Sequence, residues 1–230
     1  MDILYVLFLL TFVFTLVVQF KVSSTFNKFA NVYSGGGRTG AQVARRILDA
    51  HGLFTVRIER VHGHLTDHYD PRANVLRLSD SVYDNASPSA VGVAAHEVGH
   101  AIQHAESYAP VVWRTKLVPM VNFASRFSWI AIMLGVLVTY MSSVLGSYMV
   151  FVGIMLFAAT TLFHLVTLPC ELDASRRALT ELELSGWYSG SELGMSKKVL
   201  RAAALTYVAA LAMSFIQLLR LLRMFANRRD

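Results

Sequence analysis

The sequence contains a single cysteine, Cys170, and few charged residues. One cysteine excludes an internal disulfide and any zinc site built from several cysteines. Only 16% of the 230 residues are charged, whereas 54% are hydrophobic. This composition is too apolar for an ordinary soluble domain and indicates an integral membrane protein.

Acidic residues are scarce relative to basic ones. The chain has 15 Asp and Glu against 21 Lys and Arg, which gives a formal net charge of +6. No basic motif interleaved with aromatic residues is present, so nucleic acid is not expected as a partner. In so apolar a chain, the basic excess is expected near the anionic headgroups of a lipid bilayer.

Long uncharged runs indicate membrane spans. Residues 3–20 carry no charge, and at about 1.5 Å per residue they cover most of a hydrocarbon core of about 30 Å. A cleaved signal peptide would have a basic start and a small-residue cleavage site, whereas Asp2 precedes this run and Lys21 follows it. We therefore predict an uncleaved transmembrane anchor at residues 1–20.

The second half of the chain predicts further membrane helices. Residues 127–169 are nearly free of charge and too long for one span, so they predict two transmembrane helices that turn near residues 142–147. A fourth run, Ala202–Leu219, is weaker because Gln217 interrupts it. Residues 201–230 are therefore expected to form a fourth membrane helix or a re-entrant helix, followed by a basic tail.

The polar region at residues 21–126 predicts a small α+β domain. Thr39 and Gln42 have the spacing of a capping box, which indicates a helix in "TGAQVARRILDAHGL". "FTVRIERV" alternates as a strand does, and "HYDPRANVLRLS" predicts a turn at Asp70-Pro71 followed by another strand. We expect a zincin-like fold, with a small sheet beside the helix that carries the chemistry.

That helix contains the motif H-E-x-x-H. Ser87 is a typical N-cap and Pro88 a typical first helical residue, so "HEVGH" falls in mid-helix. His96 and His100 are offset by about 40° around the helix axis, so both imidazoles can bind one zinc ion. Glu97 can reach a zinc-activated water as general base without binding the metal. This pattern is typical of a metalloprotease.

A third ligand is expected from elsewhere in the chain. His104 continues the histidine stripe, but three histidines from one straight helix would strain a tetrahedral site. Glu171 is the better candidate, because it starts a polar helix directly after an apolar span and a His/His/Glu set leaves the fourth zinc position open. The two spans predicted in between return the chain to the same side of the membrane, as this choice requires. Asp173 could orient a ligand histidine or serve as a charge at a helix start. Cys170 is expected to be a small buried residue.

Other polar residues leave alternatives open. His68 or Tyr69 could stabilise the oxyanion of a tetrahedral intermediate, or both could belong to a turn without a catalytic role. The strand "NVLRLS" could offer an open edge to an extended peptide, or it could be an interior strand. His164 lies in an apolar run and is expected to bond a neighbouring helix as a neutral side chain.

Two segments resemble a known family. "DHYDPRANVLRLSDSVYDNASPSAVGVAAHEVGHAIQ" and "LPCELDASRRAL" are similar to the YugP-type neutral zinc metallopeptidases of bacteria. The layout is also similar to that of the HtpX-type proteases. The resemblance implies a zinc-dependent membrane peptidase of gluzincin type. In that reading His96, His100 and Glu171 bind the metal and Glu97 is the base.

One position departs from the gluzincin pattern. Gluzincins often carry an aspartate four residues after the ligand glutamate, and here that position is Ser175. Either Asp173 substitutes for it, or the residues behind the ligands are arranged differently.

The overall prediction is an α-helical membrane protein with about four transmembrane helices and the zincin-like domain. The expected division is an anchor at 1–20, a catalytic region at 21–126, two spans at 127–169, a polar helix with the third ligand at 170–200, and a fourth membrane segment with its tail at 201–230. The resemblance implies a multi-pass protein of the bacterial inner membrane, and the basic residues bordering the spans predict that its site faces the cytoplasm.

Two classes of function fit these features. The first is a zinc metalloendopeptidase that acts on peptide or membrane-protein substrates. The second is a catalytically silent scaffold or interaction protein that binds zinc for stability. Glu97 favours the first, because a purely structural zinc site needs no base and usually has four protein ligands. A zinc sensor or transporter would need more polar groups within the spans. The sequence leaves the oligomeric state open.

Overall fold

The computed structural model describes residues 3–226, so Asp2, Arg228 and Arg229 lie outside the described residues. Within that range the chain forms six helices and three strands. They are α1 (Ile3–Ala30), α2 (Gly40–Ala50), β1 (Arg57–Val61), β2 (His68–Asp70), β3 (Val75–Ser79), α3 (Pro88–Ala105), α4 (Ala109–Val138), α5 (Ser143–Leu184) and α6 (Gly190–Ala226).

Four of the helices are candidates to span a membrane. By length and composition α1, α4, α5 and α6 are each long and apolar enough, and at most 22% of the most apolar window of each is buried. This agrees with the predicted number of spans. The fourth run belongs to one uninterrupted helix of 37 residues.

The chain divides into two compact units. Unit 1 comprises residues 1–17, 112–168 and 207–230, and unit 2 comprises residues 18–111 and 169–206. In unit 1, α4 and α5 approach closely at Gly135, Gly146 and Gly153, where an added Cβ would lie within 3 Å of backbone atoms of the facing segment. Small residues let helix backbones pack closely in membranes, where no hydrophobic effect drives helices together.

The sheet of unit 2 is mixed, with strand order β1-β3-β2. β1 pairs with β3 in parallel and β2 pairs with β3 antiparallel, with Tyr69 opposite Leu76. Because β3 is the central strand, the alternative of an open edge in "NVLRLS" was wrong, and that of an interior strand is confirmed. The sequence analysis missed β2, which is only three residues long.

The core of unit 2 forms between α2, α3 and the sheet. Thr39 and Gln42 form the expected capping box at the start of α2. The apolar side of α2 then packs against the small-residue side of α3 and against β1. The core side chains include Val43, Ala44, Leu48, Leu76, Leu78, Val91, Ala94 and Val98, none of them more than 1% exposed.

α5 differs from the prediction of a separate polar helix that begins at Glu171. The helix runs through Pro169 without a break, so Glu171 lies in its interior. Proline lacks one N–H, and its ring strains the preceding turn. Here the many hydrogen bonds on either side of Pro169 keep the helix continuous.

Glu192 joins two loops of unit 2. Its carboxylate accepts hydrogen bonds from the Ser34 hydroxyl (2.6 Å), the Gly35 N–H (2.8 Å) and both the N–H and the hydroxyl of Ser189 (2.7 Å each). These hydrogen bonds lower the pKa of Glu192 to about 2, more than its small desolvation raises it. The segment after α1 is thereby attached to the start of α6.

Candidate metal centre

The start of α3 is firmly anchored. Ser87 is the N-cap, and its side chain accepts a hydrogen bond from the N–H of Ala90 (3.2 Å), as the sequence predicted. The buried hydroxyl of Ser196 donates to the carbonyl of Pro88 (2.8 Å). The two bonds fix the first turn, and the histidine pair follows two turns later on the same rigid helix.

Gly99 allows α3 and α5 to approach closely. A Cβ at this position would lie 2.7 Å from the carbonyl oxygen of Ala174, closer than real Cβ contacts allow. Gly99 lies between His96 and His100 on α3, and Ala174 lies between Glu171 and Ser175 on α5. The missing side chain therefore lets the carboxylate of α5 reach the imidazoles of α3.

The structure brings the three predicted ligand residues together. His96 Nε2 lies 3.3 Å from Glu171 Oε2, and His100 Nε2 lies 3.5 Å from the same oxygen. The ligand atoms of all three residues fall within 4.8 Å of one another, so this group could hold a metal ion. Two ligands about 2.1 Å from a tetrahedral zinc ion lie about 3.4 Å apart, so the spacing fits such an ion.

Glu171 is a carboxylate in a nearly dry setting, only 2% exposed. Burial alone would raise its pKa, but hydrogen bonds and charge interactions with His100 and His96 outweigh burial and hold the pKa well below its usual range. The side chain is therefore an anion, as metal binding requires.

Both histidines have a partner at the other ring nitrogen. The Ser175 hydroxyl lies 3.1 Å from His96 Nδ1, and Gln103 Oε1 lies 3.0 Å from His100 Nδ1. Gln103 can only accept through that oxygen, so His100 carries its proton on Nδ1. In the neutral ring this tautomer has its lone pair on Nε2, the atom that faces Glu171 and would bind a metal.

Gln103 begins a row of hydrogen bonds that runs from the buried site to the surface. Its amide nitrogen donates to Asp173 Oδ2 (3.0 Å) and to the carbonyl of Cys170 (2.8 Å). Arg177 donates to Asp173 (2.6 Å) and to Glu106 (2.6 Å). Burial would raise the pKa of Asp173, but these hydrogen bonds lower it below its usual value. Asp173 thus supports a histidine through an intervening amide.

Glu97 lies beside the donor group and is held by the sheet. Its Oε2 accepts a hydrogen bond from the backbone N–H of Tyr69 (3.1 Å), and its side chain is half-buried. β2 therefore orients the carboxylate that the sequence analysis assigned as general base.

The two residues considered for stabilising an oxyanion, His68 and Tyr69, form hydrogen bonds with other residues. The Tyr69 hydroxyl donates to Asn74 (3.1 Å). His68 is exposed, and its ring contacts the carbonyl of Thr66 (2.9 Å) and the guanidinium of Arg77 (3.4 Å). Neither side chain belongs to the group of possible metal ligands, and their catalytic role stays a prediction.

Three other residues near the motif, His104, Cys170 and Asp67, have structural contacts outside the donor group. The His104 ring packs against the Tyr69 ring at 5.7 Å and is not part of the donor group. Cys170 is buried, as expected. Asp67 bonds the N–H and hydroxyl of Ser79 (2.7 and 2.8 Å) and so fastens the loop before β2. Its pKa is raised, mainly by burial.

Sequence reasoning assigned no role to Gln103 and saw Ser175 only as a departure. The sequence spacing of both residues from a ligand could have indicated their roles. Gln103 follows His100 by three residues and Ser175 follows Glu171 by four, which places each beside its neighbour on the same helix face. What the sequence could not give is the pairing of the two helices that brings Ser175 to His96.

Comparisons with known proteins identify the family of this chain. The model of a family described as "Putative neutral zinc metallopeptidase" matches residues 4–226. The chain is 49% identical to the "Putative membrane protease YugP" of Bacillus subtilis (strain 168) over 213 residues, which cover 92% of each protein. No solved structure matches the chain. The match over nearly the whole length shows that this chain belongs to the family of that description.

Proposed function

We propose that this chain is a membrane-integrated zinc endopeptidase of gluzincin type. The observation that carries the proposal is the spacing of 3.3 and 3.5 Å between the carboxylate oxygen of Glu171 and the Nε2 atoms of His96 and His100. Two nitrogens and one carboxylate form a donor set that suits zinc and leaves a fourth position open.

The chemistry divides among a few side chains. His96, His100 and Glu171 would hold the zinc, which when bound polarises a carbonyl and lowers the pKa of a water. Glu97 takes the proton of the attacking water and passes it to the leaving amine. The Tyr69 N–H holds the Glu97 carboxylate in place for this transfer. The oxyanion role remains assigned to His68 or Tyr69.

The proposal also includes the type of fold, the class of substrate and the location in the membrane. The small sheet and α3 would form a zincin-like domain, in which β2 borders the site. Four candidate spans support membrane or membrane-adjacent proteins as substrates. Basic residues that border the apolar runs support a bacterial inner-membrane location with the site facing the cytoplasm: Lys21, Lys28, Arg114, Lys116, Arg126, Arg176, Arg177, Lys197, Lys198 and Arg201.

The test separates metal binding from catalysis. The full chain is purified in detergent, and its zinc content and its cleavage of casein and of itself are measured. We expect Glu97→Gln to keep zinc but to lose cleavage by at least about 100-fold, the usual contribution of a general base. His96→Ala is expected to lose both zinc and cleavage.

Glu183→Gln is the matched control, because Glu183 is an exposed carboxylate on α5. It should cleave as the parent does. Equal proteolysis by the parent and Glu97→Gln would refute the peptidase. Zinc bound without cleavage by the parent would favour the silent scaffold.

A further inference from the structure

A basic cleft lies in unit 2 between α1 and α6. Its volume is about 310 Å³, and four cationic side chains line it: Lys21, Lys28, Lys198 and Arg201. Lys21 and Lys28 are seven residues apart and share one face of α1. Lys198 and Arg201 are three apart and share one face of α6. Two helices thus present positive charge to one space.

The positive charge of the cleft has no acidic counterpart. The sequence has no Asp or Glu from residue 3 to 48 or from residue 193 to 229. Among the described residues, none of the four cations forms a salt bridge with a carboxylate. The cleft therefore keeps the mutual repulsion of its cations and attracts an anion.

Two of the cations lie over the ring of Phe29. Lys28 Nζ lies 5.7 Å and Lys198 Nζ lies 6.0 Å from the centre of its ring. The ring is 8% exposed and forms an apolar wall of the cleft, and Leu205 adds another apolar side chain. The cleft thus offers two ammonium groups beside hydrocarbon, a combination that suits an amphiphilic anion.

The position along the chain indicates the source of that anion. Lys21 directly follows the uncharged run of residues 3–20, and Arg201 directly precedes the run at 202–219. Cations at the ends of apolar helical runs reach the headgroup level of a bilayer. A phosphate carried by a lipid would meet the cleft there, with its acyl chains beside the apolar turns.

We propose that this cleft binds the headgroup of an anionic phospholipid. The lysines and Arg201 bind the phosphate diester, and Phe29 and Leu205 contact the glycerol and the first methylenes. The site is independent of peptide hydrolysis and requires no metal.

Lipid binding to the full chain in detergent tests the site. Native mass spectrometry counts bound dioleoyl phosphatidylglycerol, with dioleoyl phosphatidylcholine as the neutral comparison. We expect the parent to bind phosphatidylglycerol preferentially and Lys28→Gln/Lys198→Gln to bind it about tenfold more weakly, since each basic residue near a charged surface contributes to binding. Lys28→Arg/Lys198→Arg should retain the binding.

The matched control is Arg72→Gln/Lys197→Gln, which removes the same charge from exposed residues that do not line the cleft. It should bind phosphatidylglycerol as the parent does. Equal loss in both double variants, or no loss in either, would overturn the site. Displacement of the lipid by millimolar inorganic phosphate would overturn the lipid as ligand in favour of a free anion.

Discussion

The side-chain amide of Gln103 lies between His100 and Asp173, 3.0 Å from each. The amide accepts a hydrogen bond on one side and donates on the other, so the orientation of an imidazole depends on a carboxylate that it does not touch. Residues behind metal ligands fix the tautomer and the direction of the ring.

Replacing Gln103 by leucine is expected to weaken zinc binding about 10- to 100-fold, because the His100 ring loses the acceptor for its Nδ1 proton. Competition with a chromophoric chelator measures the affinity of the purified chain. Gln19→Leu, at an exposed glutamine of α1, makes the same chemical change elsewhere and should leave the affinity unaltered. A Gln103→Leu protein with parental affinity would contradict the role of the amide.

Ser175 is expected to hold His96 through its hydroxyl, which lies 3.1 Å from Nδ1. Ser175→Ala should lower zinc affinity by about tenfold, at the low end of the range for such partners. Ser175→Thr keeps a hydroxyl and should restore most of the affinity. The same chelator competition measures both variants, and an alanine variant that binds zinc as well as the threonine variant would argue against the contact.

Gly99→Ala is expected to separate α3 from α5, because the new methyl group would collide with the Ala174 carbonyl. Overpacking of this kind costs about 1–3 kcal/mol of the free energy of unfolding. We expect a lower thermal midpoint together with a loss of zinc affinity. Gly194→Ala places the same methyl group in open space within α6 and should be neutral or stabilising. If both variants matched the parent, the close approach would not be needed for the site.

Glu192 is expected to make stability depend on acid pH. Its pKa is lowered from 4.5 to about 2 in the folded chain by hydrogen bonds from Ser189 and Ser34. Its contribution is therefore complete above pH 4.5 and is lost as the pH falls toward 2. Glu192→Gln should lower the thermal midpoint at neutral pH, and its difference from the parent should shrink between pH 4.5 and 2. A difference that is constant over this range would contradict the assignment.

Helix starts and turns were predictable because their signals are local. The capping box of Thr39 and Gln42 and the N-cap at Ser87 each involve residues only three apart, and the structure forms both. Counting membrane crossings predicted only that Glu171 lies on the same side of the membrane as His96, which also needs no knowledge of side-chain packing.

The features that the sequence did not predict depend on contacts between residues far apart in the chain. β2 has three residues and exists through its pairing with β3, so its sequence carries little periodicity. The sequence analysis expected a separate polar helix at residues 170–200 because the charged residues begin there, whereas α5 continues through Pro169. The contact of Ser175 with His96 requires the spacing of α3 and α5 that Gly99 permits.

The row of hydrogen bonds that begins at His100 ends at the surface, where Arg177 meets Glu106, a side chain 53% exposed. Dissolved salt screens charges in contact with water and acts little on buried ones. A higher ionic strength therefore weakens the ion pair of Arg177 with the exposed Glu106 more than its ion pair with the buried Asp173. The metal affinity of a water-poor donor set should follow the salt concentration of the surrounding solution.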